Sequence, residues 1–428
     1  MKIDIKKFKS QLFLPFLDQG IVSLSNFLTS LFIIRFIGIE AFGIFSIAWL
    51  IVLFINSIQF SLISSPMMIL GPKQKDADKE IYYGSILIHQ LIFSMTISVV
   101  LWLILNNINL FELKYRISDI AMPLVIAVFF FQNQDFLRRF LFVENQYFFA
   151  LLIDVVCYLG RVALLFLFLM NTDVNLVYVL WAIGFSSFVS IILCIPKLRC
   201  LRFNFKYLIL SFKDHWLIGR WLVGAAILRW TSGNYFIITT GVILGPVAVG
   251  TLKAAENILG ILNIFLQGLE NVIPSKASRH FHKGSIPDLI DYLFSVSIWG
   301  SVLILFIVSF IIVYASTIIN VFYGKQFPGL ENLLYLYSLC YLLTFLMLPL
   351  RSGLILFNKS KYILFGTIIT SIVALLTAKL FLDTFSIEGA LYGIIFTQLI
   401  AVGILSFYLC KEYRIRIKKN DSLILKEK

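Results

Sequence analysis

Charge is scarce in this chain, and its scarcity excludes an ordinary soluble protein. Only 14% of the 428 residues are charged, whereas 60% are hydrophobic and the mean hydropathy is +0.92. Soluble domains average about 25% charged residues. The composition is therefore typical of an integral membrane protein.

Cysteine and the common catalytic motifs are scarce as well. The five cysteines have no CxxC spacing, which is typical of structural thiols and argues against a disulfide framework or a metal site. The chain has no GxxxxGK[ST] loop, no GxSxG and no HExxH motif, each of which would indicate a particular chemistry. We predict that the protein is not an enzyme, does not hydrolyse ATP itself, and holds no metal and no cofactor apart from a coupling ion.

Twelve apolar runs fill most of the chain. A helix needs about 20 residues to cross about 30 Å of hydrocarbon. The predicted spans are 12–37, 42–70, 81–105, 121–137, 146–170, 176–196, 216–244, 248–273, 293–320, 330–350, 363–382 and 390–410. We therefore expect an all-α membrane protein of about 12 transmembrane helices.

Most of the 36 Lys and Arg residues lie in alternate gaps and in the two tails. Cytoplasmic loops retain these residues because they are hard to translocate. The alternation predicts a multi-pass protein of the bacterial inner (cytoplasmic) membrane with both termini in the cytoplasm. The net charge of +13 then faces anionic membrane lipid at one surface, so we expect no nucleic-acid partner.

The two halves of the chain resemble each other. Four small or polar residues recur 207 residues later and one proline recurs 208 residues later: Gly38, Gly43, Ala48, Asn56 and Pro66 as Gly245, Gly250, Ala255, Asn263 and Pro274. Since this displacement covers six spans, both halves have the same orientation. A pseudo-two-fold axis along the membrane normal should relate them, as in parallel-repeat transporters, with substrate between the lobes.

The repeat predicts four segments. An N-terminal six-helix lobe covers 1–196, and a C-terminal six-helix lobe covers 216–410. Residues 197–215 mix basic and apolar side chains, which is typical of an interfacial helix, and we interpret them as a cytoplasmic linker. Residues 411–428 form a basic cytoplasmic tail.

Polar side chains in the eighth predicted span recur at steps of three and four, which places them on one helix face. They are Lys253, Glu256, Gly260, Asn263, Gln267 and Glu270. A charge at the centre of a membrane helix costs about 2.5–3.5 kcal/mol. The face is therefore either a hydrogen-bonded helix contact or the wall of a wet cavity, and its ionisable residues favour the cavity.

Three further spans carry candidate residues. The first has Asp18 beside a stripe of Gln19, Ser23, Asn26 and Ser30; the fifth has Asp154, Tyr158 and Arg161 on one face; the seventh has Arg229 near mid-membrane. Asp154 and Arg161 could neutralise each other. Arginine matches phosphate oxygens with a planar fork, and lysine adds a point charge. A cavity lined by such cations and by amides would suit an anionic head group that carries sugars.

We predict two groups of site residues. Those expected to bind substrate are Arg229, Lys253, Arg161, Asn263, Gln267 and Asn26. The acidic residues, which could be counter-ions or coupling-ion sites, are Glu256, Glu270, Asp18 and Asp154. Spacing alone does not separate these two roles.

The stretch FIIRFIGIEAFGIFS, residues 32–46, resembles the first-loop signature of polysaccharide transporters of the multidrug/oligosaccharidyl-lipid/polysaccharide (MOP) exporter superfamily. The stretch GPVAVGTLKAA, residues 245–255, is similar to its second-half counterpart, and Pro274 precedes a basic loop as in that family. In length and span count the resemblance covers nearly the whole chain. Asn234 departs from the pattern, because family members often have Asp there, and coupling through this position stays open.

The resemblance implies a Wzx-type flippase. Such proteins move undecaprenyl-diphosphate-linked oligosaccharide repeat units, for O-antigen lipopolysaccharide or capsule, by alternating access between two lobes. It also implies H⁺ or Na⁺ as the coupling ion, and a polysaccharide polymerase and a chain-length regulator as partners.

Two other functions remain as alternatives. A cation-coupled drug exporter of the same superfamily would share the fold, but it would prefer an acidic, aromatic cavity. An O-antigen polymerase or ligase would carry large periplasmic loops, which are missing between the predicted spans.

Overall fold

Helices make up the described part of the chain. The computed structural model describes residues 5–107, 117–171, 174–198, 201–283, 286–324 and 329–424. No β-strand occurs among these residues, so the predicted all-α class is confirmed. The chain divides into two compact units, Met1–Trp230 and Thr231–Lys428.

Unit 1 contains eight helices and the first part of a ninth: α1 Ile5–Phe32, α2 Ile39–Gln59, α3 Ser65–Leu70, α4 Asp76–Asn107, α5 Ile117–Val143, α6 Tyr147–Asp154, α7 Gly160–Asn171, α8 Leu176–Leu198 and α9 Phe205–Leu244. A 3₁₀ turn, Gly71–Lys73, follows α3. Three π-helical segments occur in predicted spans: Ile33–Ile37 ends the first, and Phe60–Ser64 and Val155–Leu159 interrupt the second and fifth. Such π-helical turns are frequent at functional sites.

Unit 2 continues with the rest of α9 and six further helices: α10 Pro246–Ile258, α11 Gly260–Lys283, α12 Ile286–Val313, α13 Ala315–Tyr323, α14 Leu330–Leu356 and α15 Ser360–Ile424. Ser386 inside α15 has a φ of 53° and non-helical geometry. This kink separates the eleventh and twelfth predicted spans.

Nine helices of the described residues are long and apolar enough to cross a membrane. One of them, Ser360–Ile417, includes two predicted spans. The seventh and eighth predicted spans are not among the nine, because α9 is too polar and the eighth span is divided at Leu259. All twelve predicted spans nevertheless lie on helices.

The predicted linker does not form a separate helix. Helix α9 begins at Phe205, inside the segment 197–215, and continues without interruption through the seventh span. Helix α15 likewise continues beyond residue 410 and ends at Ile424. Residues 205–215 and 411–424 are therefore extensions of membrane helices.

One helix is central to each unit. Helix α5 packs against α2, α4, α6 and α8, and α14 packs against α10, α11, α12 and α15. Polar groups in such positions need internal partners. Gln59 and Gln90 illustrate this, because both donate to the backbone carbonyl of Gln132 in α5 at 3.3 Å, and Gln59 Nε2 also donates to Gln90 Oε1 at 3.0 Å.

The same turn follows the central helix in both units. Asn145 and Asn358 adopt left-handed conformations with φ of 57° and 56°. In each turn the next amide donates to the carbonyl five residues earlier at 2.8 Å: Gln146 to Leu141, and Lys359 to Leu354. These equivalent bonds, 213 residues apart, extend the internal repeat into the backbone geometry.

Candidate functional site

A buried ion cluster joins three helices of unit 1. Arg138 of α5 donates through Nη2 to Asp18 Oδ2 of α1 at 2.5 Å, and its Nε lies 2.5 Å from Asp154 Oδ2 of α6. Gln134, one turn earlier on α5, donates to the other oxygen of Asp154 at 2.7 Å. The side chains of Asp18 and Asp154 are 1% and 0% exposed. The cluster therefore has one carboxylate in excess and almost no water to screen it.

The position of Arg138 corrects the predicted span boundary. The fourth predicted span ends at residue 137, which leaves Arg138 in a cytoplasmic gap as an orientation charge. In the structure α5 continues to Val143, and the polar run from Gln132 to Asp135 is buried in it. Asp154 consequently pairs with Arg138 and not with Arg161.

Arg161 of α7 is buried two turns beyond Asp154. Its Nη1 donates to Asn26 Oδ1 of α1 at 3.3 Å, and its guanidinium carbon lies 5.0 Å from the ring centre of Tyr158 and 5.9 Å from that of Trp49. It is 1% exposed, and it forms no ion pair with any residue in the described ranges. Asn26 is exposed. Of this pair, only Asn26 is accessible to a ligand in this conformation, and the binding role of Arg161 stays a prediction.

The polar face of the eighth predicted span belongs to two helices. Helix α10 ends at Ile258 and α11 begins at Gly260, so the predicted continuous span 248–273 is broken at Leu259. Just before the break, Lys253 Nζ lies 2.7 Å from Glu256 Oε2. This pairing compensates both charges. Broken helices at mid-membrane depth are typical of transporter binding sites.

The polar face of α11 is exposed, whereas a neighbouring face is packed. Asn263, Gln267 and Glu270 are exposed, and Asn263 Nδ2 donates to Tyr341 Oη of α14 at 2.8 Å. The buried positions include Leu252 and Ala255 on α10, Leu259 at the break, and Leu262, Leu266 and Ile273 on α11. Exposed amides and carboxylates at membrane depth need water, because lipid chains offer no hydrogen bonds. The exposure favours an aqueous wall over a helix contact.

Arg229 of α9 is also exposed. It forms no hydrogen bond, ion pair or ring contact with any of the residues that the structure describes. Arg220, two and a half turns earlier, instead lies against Trp221, with 5.4 Å from its guanidinium carbon to the ring centre. An uncompensated guanidinium within a span is costly unless water or an anion reaches it. Arg229 is therefore available to an anionic ligand.

The ion cluster is confined to the first half of the repeat. Arg351 of α14 is displaced from Arg138 by the same 213 residues that relate the two asparagine turns. The carboxylates do not recur: Ala225 and Thr367 stand where the repeat would place the equivalents of Asp18 and Asp154. The two halves thus share their architecture and differ in their buried charge.

The family of this chain follows from its sequence. The family model described as polysaccharide biosynthesis protein matches residues 32–332. The chain belongs to this family. The predicted resemblance to a polysaccharide family is thereby confirmed at the level of the family. No curated protein matches the chain closely enough to count as a relative.

Solved structures share the fold of this family member. A multidrug resistance MATE family transporter of the MOP superfamily, in an inward-facing conformation, is 15% identical with a TM-score of 0.73, over 92% of this chain and 95% of its own. The lipid II flippase MurJ, in an inward closed conformation, is 14% identical with a TM-score of 0.74, over 96% and 90%. At these identities the similarities show a shared fold.

A third structure comes from Pyrococcus furiosus. It is a MOP superfamily transporter whose reversed binding-pocket polarity suggests a different function for that protein. It is 15% identical with a TM-score of 0.63, over 94% of both chains.

The structure of this polysaccharide biosynthesis family protein brings six of the predicted site residues together in three groups. Asp18 and Asp154 share Arg138, Asn26 meets Arg161, and Lys253 meets Glu256. The sequence prediction missed Arg138 and Gln134. The signal was four consecutive polar residues, 132–135, inside an apolar run and followed by two arginines. Such a run inside a span indicates a central helix with internal partners.

Proposed function

We propose that the protein translocates undecaprenyl-diphosphate-linked oligosaccharide repeat units, of O-antigen or capsule type, across the bacterial inner membrane by alternating access. The family and the fold are those of polysaccharide biosynthesis proteins and membrane transporters. The observation that carries the proposal is the exposed polar chemistry within spans, namely Arg229 on α9 and the amide-rich face of α11.

Arg229 is the proposed ligand of the diphosphate. Its guanidinium is exposed and has no protein partner in the described ranges. A diphosphate offers the bidentate oxygen pairs that a guanidinium fork matches. A cationic drug would be repelled by the same charge, so the drug-exporter alternative is disfavoured. Lys253 would bind a phosphate oxygen when its ammonium group exchanges the Glu256 carboxylate for that ligand.

Sugar hydroxyls would be bound by the amides. Asn263, Gln267 and Asn26 are exposed at span positions, and each carboxamide can donate and accept hydrogen bonds. Sugars present both groups, and these amides therefore suit a glycan of varied composition. The polyprenyl tail would remain in the bilayer during translocation.

Coupling to H⁺ or Na⁺ is proposed at the ion cluster. Asp18 and Asp154 share the single cation Arg138, so a bound proton or sodium ion would neutralise the excess carboxylate. The second half has no equivalent carboxylates, which supports coupling through the first half. Asn234 carries no ionisable group, and Glu256 and Glu270 are proposed as counter-ions.

Both termini would lie in the cytoplasm, where the lipid-linked unit is assembled. A polysaccharide polymerase and a chain-length regulator would act on the translocated product. A deletion strain should then accumulate the lipid-linked repeat unit on the cytoplasmic side.

The proposal is tested by translocation in proteoliposomes. Wild-type protein should move an undecaprenyl-diphosphate-linked oligosaccharide to the opposite leaflet, and Arg229→Ala should move it at least tenfold more slowly. Arg414→Ala removes an exposed arginine from the C-terminal part of α15 and should leave the rate unchanged. Equal rates for the wild type and Arg229→Ala at equal incorporation would remove Arg229 from the site. Export of cationic drugs without glycan-lipid movement would overturn the assigned substrate.

A further inference from the structure

The first half of α9 packs against the rest of unit 1 along one edge. The edge consists of Ser211, His215 and Gly219, which are buried and spaced by four residues. His215 Nε2 lies 2.8 Å from Tyr82 Oη of α4. A Cβ atom at Gly219 would lie 3.0 Å from the carbonyl oxygen of Ser61, in the π-helical segment Phe60–Ser64. The close crossing determines which face of α9 points away from the unit.

Two further contacts hold the same segment against the start of α4. Tyr207 Oη donates to Asp78 Oδ1 at 3.0 Å. Just before α9, the Arg202 amide donates to the Glu80 carbonyl at 3.2 Å, and the two side chains form an ion pair at 3.1 Å. The orientation of the segment is thus set by several contacts along its length.

A line of cations lies on the opposite face. Lys206, Lys213 and Arg220, here called the basic stripe, are exposed and are spaced by seven residues. Because seven residues are close to two helical turns, the three side chains align, about 160° around the helix from His215. Exposed apolar side chains flank the stripe on both sides: Phe205, Ile209, Phe212 and Trp216, and Leu210, Leu217 and Trp221. Asp214 is an exposed acidic neighbour.

The length of α9 places this face at the membrane boundary. Forty residues at 1.5 Å rise extend about 60 Å, which is about twice the hydrocarbon thickness. Part of α9 must therefore lie outside the hydrocarbon. In free cytosol the flanking aromatic residues would contact water, and among acyl chains the three cations would lack partners. The head-group layer suits both groups, because it offers phosphates to the cations and nearby acyl chains to the aromatic residues.

We propose that the basic stripe is a binding surface for anionic phospholipid head groups of the cytoplasmic leaflet. The phosphate groups would pair with the three cations while the flanking side chains insert among the upper parts of the acyl chains. Helix α9 continues without a break from the stripe to Arg229. Lipid bound at the stripe would thus hold the helix that carries Arg229. Lipid binding at the basic stripe does not depend on which substrate the protein translocates.

The test uses the purified full-length protein in detergent. Short-chain phosphatidylglycerol or phosphatidylcholine is titrated, and the thermal unfolding midpoint and the lipid retained in native mass spectra are measured. The wild type should bind phosphatidylglycerol preferentially. Lys206→Gln/Lys213→Gln/Arg220→Gln should lose about fivefold in phosphatidylglycerol affinity for each cation removed. The control Lys276→Gln/Arg279→Gln/Lys411→Gln removes the same charge from exposed positions of unit 2 and should retain the preference.

Three results would overturn the proposal. The stripe variant could retain the wild-type preference for phosphatidylglycerol, or the control could lose it to the same extent. Inorganic phosphate at equal concentration could also stabilise the wild type as strongly as the lipid, in which case the stripe binds phosphate as such. The translocation assay with Arg229→Ala is independent of all three.

Discussion

Arg138→Met removes the only cation that the ion cluster contains. The change leaves Asp18 and Asp154 without their shared partner, at side-chain exposures of 1% and 0%. Breaking a buried ion pair costs about 3–5 kcal/mol, whereas an exposed pair contributes about 0–1 kcal/mol. Since both carboxylates lose the same guanidinium, we expect a loss of about 3–5 kcal/mol in the free energy of unfolding.

A charge-balanced variant separates lost charge pairing from lost packing. Arg138→Met/Asp18→Asn/Asp154→Asn removes all three charges at similar volume, and replacing a buried ion network by neutral groups is often nearly neutral in stability. It should therefore recover most of the loss. The control Arg202→Met breaks the ion pair with Glu80, in which the two side chains are 76% and 43% exposed. Its unfolding midpoint should equal that of the wild type.

The assay is thermal unfolding of the purified protein in detergent, together with the amount inserted in the membrane. A single variant as stable as the wild type would contradict the buried cluster. A triple variant no more stable than the single variant would show that packing, and not charge, sets the effect.

Three further changes have defined outcomes. Gly300→Ala should destabilise unit 2 by about 1–3 kcal/mol, because its Cβ would lie 2.1 Å from Phe345 Cζ; an unchanged unfolding midpoint would refute this contact. Gln59→Leu should lower the free energy of unfolding by about 1–3 kcal/mol, since Gln90 Oε1 loses its donor. Gln59→Glu should be at least as destabilised. Wild-type stability of either variant would refute the network. Arg229→Lys keeps the charge without the fork and should translocate more slowly than wild type but faster than Arg229→Ala.

Hydropathy was sufficient to predict which segments of the chain are helical. Each of the twelve predicted spans lies on helix, and even the division of α15 falls at the kink of Ser386, between the two predicted spans. This succeeded because the length of an apolar run is a local property that the bilayer thickness sets directly.

The pairing of buried charges could not be predicted in the same way. Asp18 and Arg138 are separated by 120 residues, and their contact depends on how α1 packs against α5. A polar group in a span also lowers the local hydropathy, which moved the predicted end of the fourth span to the wrong side of Arg138. Charges that pair internally and charges that orient the chain have the same sequence signal.

The polar face of the eighth span was predictable, but its surroundings were not. Steps of three and four placed Asn263, Gln267 and Glu270 together, whereas the break at Leu259 and the exposure of the face required coordinates. Helix periodicity tells which residues share a face. It contains no information on what that face meets.

The most direct test asks whether that face meets water. In a cysteine-free background, Asn263→Cys and Val302→Cys place thiols at two exposed span positions, one on the polar face of α11 and one on the apolar surface of α12. A charged, water-soluble maleimide added to membranes opened to both sides should label the cysteine at 263 rapidly and the cysteine at 302 hardly at all. Equal, negligible labelling at both positions would contradict an aqueous cavity and with it the proposed site.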